Sequence, residues 1–254
     1  MAQDFAYDPA TGKAMPKFIG ELKLIKGRVF KDIGGRREGL KEGAQLYPGD
    51  TLVTEEKSFV RVLMVDQSTV NLGPNSELNF ESFNYKSNTE RQSVYNLMKG
   101  QLRSLVKNRA KDGDIQFKTP QAVMGIRGTE LLVNHQVIGK IDVSEFALLS
   151  GRAEVKDAQG EQHALLKNDR LILIGDEQPR QKKLPLNKVE IDIMNNEEEF
   201  LPYSPVAALD SKASGTSTTT FSSEEAVTTT PAKSTTQNLE KLNEQLRENH
   251  KRKR

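Results

Sequence analysis

The sequence predicts an all-β chain of short stacked strands, in a β-solenoid-like or sandwich-like arrangement. Three observations carry this. Between residues 19 and 175 the apolar residues fall in short runs rich in β-branched side chains. Gly, Asn and Asp punctuate those runs. Nothing in that span sustains a 3.6-residue apolar stripe over three turns, as an amphipathic helix would.

The elements follow in order. Residues 1–18, with Pro9, Gly12 and Pro16, have little periodic apolar content and read as a flexible leader. Residues 19–175 form the β domain. Leu22-Lys23-Leu24 and Val29-Phe30 lie on either side of Gly27 as the first strands. Phe59-Val60-Arg61-Val62-Leu63-Met64-Val65 has six apolar residues in seven, the pattern of a strand covered on both faces. Glu130-Leu131-Leu132-Val133, Val143 to Leu149 and Leu171-Ile172-Leu173-Ile174 complete the set. Turns are marked by Pro48-Gly49-Asp50, Gly73-Pro74-Asn75, Asp112-Gly113-Asp114 and Ala158-Gln159-Gly160.

Beyond the β domain, residues 176–203 are a mixed extension that includes the acidic run Glu197-Glu198-Glu199. Residues 204–236 hold 16 Ser or Thr among 33 positions, too few apolar groups to offset the entropy of ordering, and read as a disordered linker. From 237 to 254, Leu239, Leu242 and Leu246 at i, i+3 and i+7 predict a short amphipathic helix. Such a helix is marginal alone in water, so it docks on a partner or frays. Its basic end, Lys251, Arg252, Lys253 and Arg254, is either solvated or drawn to an anionic polymer, lipid headgroup or acidic partner.

The sequence also echoes itself. Leu-x-x-Gly followed by an alternating strand occurs at Leu24 to Gly27, Leu97 to Gly100 and Leu148 to Gly151. The first and third copies lead to a second shared element, Leu46 to Leu52 with Gly49-Asp50, and Leu165 to Leu171 with Asn168-Asp169. Repetition of a strand-turn-strand unit suggests stacked layers, with each glycine at a bend where a side chain would clash.

Composition excludes several function classes. Lys plus Arg number 37 against 35 Asp plus Glu, and the two signs balance over residues 1–200, which argues against a nucleic-acid binder. Zero Cys removes disulfides, thiolate chemistry and Cys-ligated zinc. No apolar run is long enough to span a bilayer, and Met1-Ala2-Gln3-Asp4-Phe5 lacks the basic segment followed by an apolar one that marks a signal peptide, which is taken as already removed.

Reactive constellations are scarce. His135, His163 and His250 are isolated in sequence, so no metal site is expected, and no cofactor motif is present. Gly34-Gly35-Arg36-Arg37 reads as a solvated turn. Asp142 with Glu145, and Glu154 with Asp157, read as exposed strand and turn charges, though paired carboxylates keep a glycan-processing enzyme open as an alternative.

Several motifs, in chain order, carry a family resemblance. They are Gly27-Arg28-Val29; Leu46-x-x-Gly49-Asp50-x-Leu52; the strand 59–65 ending in Asp66-Gln67-Ser68; and Leu72-Gly73-Pro74-Asn75-Ser76-Glu77-Leu78. Then come Gly100-Gln101-Leu102, Thr119-Pro120-Gln121-Ala122-Val123-Met124-Gly125-Ile126-Arg127-Gly128-Thr129-Glu130, and Leu149-Ser150-Gly151. This set, over residues 20–175, resembles the extracytoplasmic domain of the FecR family, the iron-dicitrate sensor regulators. Where that family usually has Asp-Gly-Ser, this chain has Asp66-Gln67-Ser68, so a different turn type is expected there.

The resemblance implies a non-catalytic FecR-type module in the bacterial envelope, periplasmic or otherwise extracytoplasmic. The partner it implies is an envelope protein or peptidoglycan glycan. The family's helical anti-sigma segment and membrane span find no match in these residues. An alternative is therefore the sensor part of an anti-sigma system acting with a separate membrane protein.

Physical reasons fit the central motif. Pro120 holds Thr119 extended. Gly125 and Gly128 bracket a tight turn, and either can supply a positive φ. Arg127 projects a planar fork of donors. It either ties down loop carbonyls as part of a structural corner or, with Thr129 and Glu130, meets a partner's acid or a glycan carboxylate.

Overall fold

A computed structural model describes residues 6–7, 14–15, 18–87, 90–107, 114–175 and 180–195. These belong to the first of two compact units, Met1–Ser211; the second, Lys212–Arg254, lies outside the described residues. Outside them too are the expected linker over 204–236 and the helix with Leu239, Leu242, Leu246 and Lys251 to Arg254.

Within the segment read as a leader, β1 (Ala6–Tyr7) pairs antiparallel with β2 (Ala14–Met15). Seventeen further strands make one paired network. In chain order they are β3 (Gly20–Lys26), β4 (Val29–Ile33), β5 (Arg36–Gly39), β6 (Gln45–Leu46), β7 (Thr51–Thr54) and β8 (Phe59–Met64). Next come β9 (Thr69–Leu72), β10 (Glu77–Ser87), β11 (Glu90–Leu105), β12 (Ile115–Thr119), β13 (Ala122–Ile126) and β14 (Glu130–Ile138). The last are β15 (Ile141–Ser150), β16 (Arg152–Asp157), β17 (Gln162–Leu166), β18 (Asp169–Gly175) and β19 (Arg180–Pro185).

The network is folded as two facing layers. The first runs β6-β3-β8-β9-β11-β14-β15-β18-β19. The second runs β5-β4-β7-β10-β11-β12-β13-β16-β17. All these pairs are antiparallel except β11 with β12. β11 belongs to both layers, pairing with β10 and β12 through its first half and with β9 and β14 through its second.

Alternation places every second side chain between the layers. Leu131, Val133, Phe146, Leu148, Leu171 and Leu173 from the first layer meet Leu52, Leu78, Phe117, Met124 and Val155 from the second in one buried cluster. Tyr95 lies at its centre, stacked on Phe117 at 4.9 Å and edge-on to Phe80 at 5.8 Å. Burial pushes its hydroxyl above the ordinary range. β8 departs from the expected double coverage: Val60 and Val62 are fully enclosed, but Leu63 on its other face is 39% exposed.

The echoed glycines are the points where the chain crosses between layers. Gly27 links β3 to β4, Gly100 lies where β11 changes partners, and Gly151 links β15 to β16. All three have positive φ (74°, 92° and 84°). Each abuts a hydroxyl residue that opens another strand. A β-carbon would fall 2.5 Å from Ser58 Oγ at Gly27, 2.5 Å from Ser76 Cα at Gly100, and 2.5 Å from Thr129 Cγ2 at Gly151. Gly27 and Gly100 turn at one end of the strands and Gly151 at the opposite end.

The second echoed element is the same turn built twice. Asp50 Oδ2 accepts from the N–H of Tyr47 at 2.9 Å, and Asp169 Oδ2 accepts from Leu166 at 2.8 Å. The left-handed position is Gly49 in one (φ 89°) and Asn168 in the other (φ 66°). The first leads out of the first layer and the second leads into it.

Past residue 175 the sheet continues through β19, and α1 (Lys188–Asn195) follows. Its start is a capping box: Glu190 N–H donates to Asn187 Oδ1 at 3.0 Å and Asn187 N–H to Glu190 Oε2 at 2.9 Å. Ile191 packs with Leu186 on Leu132, Ala147 and Leu149, the outward side chains of β14 and β15. Among the described residues, no helix is long and apolar enough to cross a membrane.

Candidate functional site

The long central motif is divided between the two ends of the sandwich. β13 is its middle, so Thr119 and Pro120 stand at one end and Arg127 to Glu130 at the other. Gly125 does not bracket the turn; it is paired within β13, opposite Gln116 and Glu154. The left-handed conformation belongs to Gly128 (φ 66°).

At the Arg127 end the arginine is an exposed residue, while Thr129 is buried against Gly151. Glu130 donates its N–H to Ser150 Oγ at 3.0 Å and pairs through its carboxylate with the buried Arg103. Thr129 and Glu130 are therefore held by the fold, and Arg127 is the member of the three presented to solvent.

Nearby, Asp66 joins the layers. Its carboxylate binds Arg91 Nη1 at 2.6 Å, Ser68 N–H at 2.9 Å and Ser68 Oγ at 2.9 Å, with both charged residues almost wholly buried. Gln67 between them has φ 67°, the conformation glycine takes freely.

At the Thr119 end the layers open into a cavity of about 170 Å³, lined by Pro120, Gln121, Asp157, Glu161, Leu173 and Gln181 among others. Asp157 and Glu161 of this lining lie close to His163 on β17, all three in the β16–β17 hairpin. Asp157 Oδ1 accepts from the N–H groups of Gln159 (3.0 Å) and Glu161 (2.8 Å), and Oδ2 lies 3.0 Å from His163 Nε2. Burial alone would raise the Asp157 carboxyl. Hydrogen bonds from His163, Glu161 and Gln159, with the charge of His163, outweigh it and hold the group below the ordinary carboxylate range.

Behind the cavity runs a buried polar chain. His135 Nδ1 lies 3.0 Å from Ser144 Oγ, which donates to Thr119 Oγ1 at 2.9 Å. His135 is 1% exposed, and burial lowers its basicity despite the nearby Asp142. Ser144 is fully enclosed, so this Ser–His contact has no route to a substrate.

The acids read as exposed divide differently. Glu154 is exposed and Asp142 partly so, but Glu145 and Asp157 are buried. Glu145 sits on the outward face of β15, bonded to Asn134 Nδ2 (3.0 Å) and Arg170 Nη1 (3.2 Å); Arg170 also binds Glu190 of α1 at 2.5 Å. Burial raises the Glu145 carboxyl against the pull of Asn134 and Arg170. These contacts run between strands distant in sequence, so spacing could not show them. The capping pair Asn187 and Glu190 was the one available signal for the α1 side of the network.

The arrangement defines a two-layer β module with glycine crossings and loop surfaces at both ends. Residues 50–154 match the family model described as FecR protein. Two crystal structures, each of a candidate anti-sigma factor from Parabacteroides distasonis ATCC 8503, are similar at 15% and 13% identity with TM-scores of 0.44 and 0.48. The similarity covers 56% and 64% of this chain, and 63% and 71% of theirs. No curated protein matches the chain.

Proposed function

We propose that this chain is a non-catalytic sensor or scaffold module of the bacterial envelope, acting in signalling by binding a protein partner through its Arg127 end. The observation that carries the reading is the stretch 50–154 matching the FecR family model, with Arg127 exposed on its corner. Thr129 and Glu130 fix the corner, and the guanidinium offers bidentate recognition of a carboxylate. A cell-wall glycan is the second ligand class that fits this chemistry. A signalling role requires a membrane component from outside the described residues.

Catalysis fits less well. Asp157 has both carboxylate oxygens engaged by its own turn and His163, and Glu145 is bound to Arg170 away from the cavity. Neither is free to act as acid or nucleophile.

The test compares wild-type chain with Arg127→Ala in two assays: cross-linked capture from envelope extract, and co-sedimentation with purified peptidoglycan. The expected result is a specific protein captured by wild type and lost in the variant, with thermal stability unchanged. Equal capture by both, or binding to peptidoglycan alone, overturns the protein-partner reading.

A further inference from the structure

We propose that Asp157, Glu161 and His163 form a binding site for a divalent first-row transition metal ion at the cavity between the layers. One ligand atom from each residue lies within 4.8 Å of the other two. Asp157 Oδ2 and His163 Nε2 are 3.0 Å apart. That is the spacing of two neighbouring ligands on an ion with bonds of about 2.0–2.2 Å. An ion therefore replaces the hydrogen bond of the pair, with the imidazole tilting to aim its Nε2 lone pair at the metal.

The donor set points to the class of ion. One imidazole nitrogen with two carboxylate oxygens suits zinc, manganese or iron(II), whereas calcium and magnesium favour all-oxygen shells. Two of the three ligands are already oriented. The N–H groups of Gln159 and Glu161 fix Asp157 through its other oxygen, and His163 is half-buried on β17, paired in register with Val155. Glu161 is exposed and tethered by Gln181 Nε2 at 2.9 Å, so it can swing in as the third.

A separate observation comes from the turn beside β13, whose Ala122 is paired in register with Asp157. Gln121 lines the same cavity, and its side-chain Oε1 is buried with no hydrogen-bond partner among the described residues. Its amide nitrogen is held by the Asp142 carbonyl at 2.9 Å, which fixes the orientation of that oxygen. A buried acceptor in the cavity that Asp157 and Glu161 also line matches the need of a metal-bound water for an outer partner. The inference concerns the end of the sandwich opposite Arg127 and stands apart from the signalling reading.

The test is calorimetric titration of the chelator-stripped full chain with Zn²⁺. One site per chain is expected, with a Zn²⁺-dependent rise in Tm. Glu161→Gln and His163→Gln should each weaken that site by about tenfold or more. Circular dichroism checks that each variant is folded, and Glu161→Gln, on an exposed position, keeps the test valid should His163→Gln unfold. In NMR the His163 ring signals should shift on titration while those of His135 stay. No saturable site, or a site that survives both substitutions unchanged, overturns the proposal.

Discussion

Gly100 and Ser76 interlock: a β-carbon on the glycine would lie 2.5 Å from Ser76 Cα, while Ser76 Oγ accepts the Gln101 N–H at 2.9 Å. The Gly27 corner repeats this, with Arg28 N–H donating to Ser58 Oγ at 2.9 Å. Gly100→Ala therefore combines a left-handed backbone with a collision against main chain, and should cost about 3–5 kcal/mol. Gly49 has a similar φ of 89° but open space around it. Gly49→Ala should cost only about 1–2 kcal/mol. Urea denaturation of the two variants checks the order; equal losses would show that close approach is not what the corner requires.

Arg91 and Asp66 are a buried pair that ties β11 to the β8–β9 turn. Removing the cation strands a carboxylate in the core. Arg91→Leu should lose about 3–5 kcal/mol. Adding Asp66→Asn to that variant should recover part of the loss, because the side-chain amide keeps an acceptor for Ser68 without the charge. A double-mutant cycle by chemical denaturation measures the coupling.

His135 makes the fold acid-sensitive. Its folded basicity is depressed by burial, so the unfolded chain binds the proton more readily. Stability is then fully present above about pH 6.5 and declines as pH falls through that value toward the folded one. His135→Gln should flatten the slope of Tm against pH in this window. Glu145 has the opposite sign: its raised carboxyl contributes stability at low pH that is lost as pH rises above its ordinary range. Glu145→Gln should therefore remove this loss, so that Tm falls less on raising the pH through and above the carboxylate range.

Gln67 is exposed at φ 67° where the related motif has glycine. The backbone is left-handed at this position, and the side chain carries its cost. Gln67→Gly should raise stability by about 0.5–1 kcal/mol, read as a higher denaturation midpoint with unchanged slope.

Much of the β framework was legible because it rests on local rules. Leu24-x-x-Gly27 and its two echoes marked real layer crossings, since a positive φ and a close approach exclude other residues. The Asp50 and Asp169 turns were readable for the same reason. What escaped depends on register or on edges. β19, Arg-Gln-Lys-Lys-Leu-Pro, lacks the apolar alternation of an inner strand because an outer strand tolerates charge. α1 was hidden in a mixed segment although Asn187 and Glu190 announced its cap. Asp157, Glu161 and His163 looked unremarkable because only the β16–β17 hairpin folds the histidine back onto the aspartate.

Because β11 is shared, neither half of the sequence can complete a sheet by itself. A fragment ending at 107 retains that strand and leaves its far edge bare in both layers at once. A fragment starting at 114 lacks it, exposing β12 and β14 as two naked borders. The two-layer sandwich is thus one indivisible folding unit, and splitting it between 107 and 114 should yield pieces that recombine far better than either survives alone.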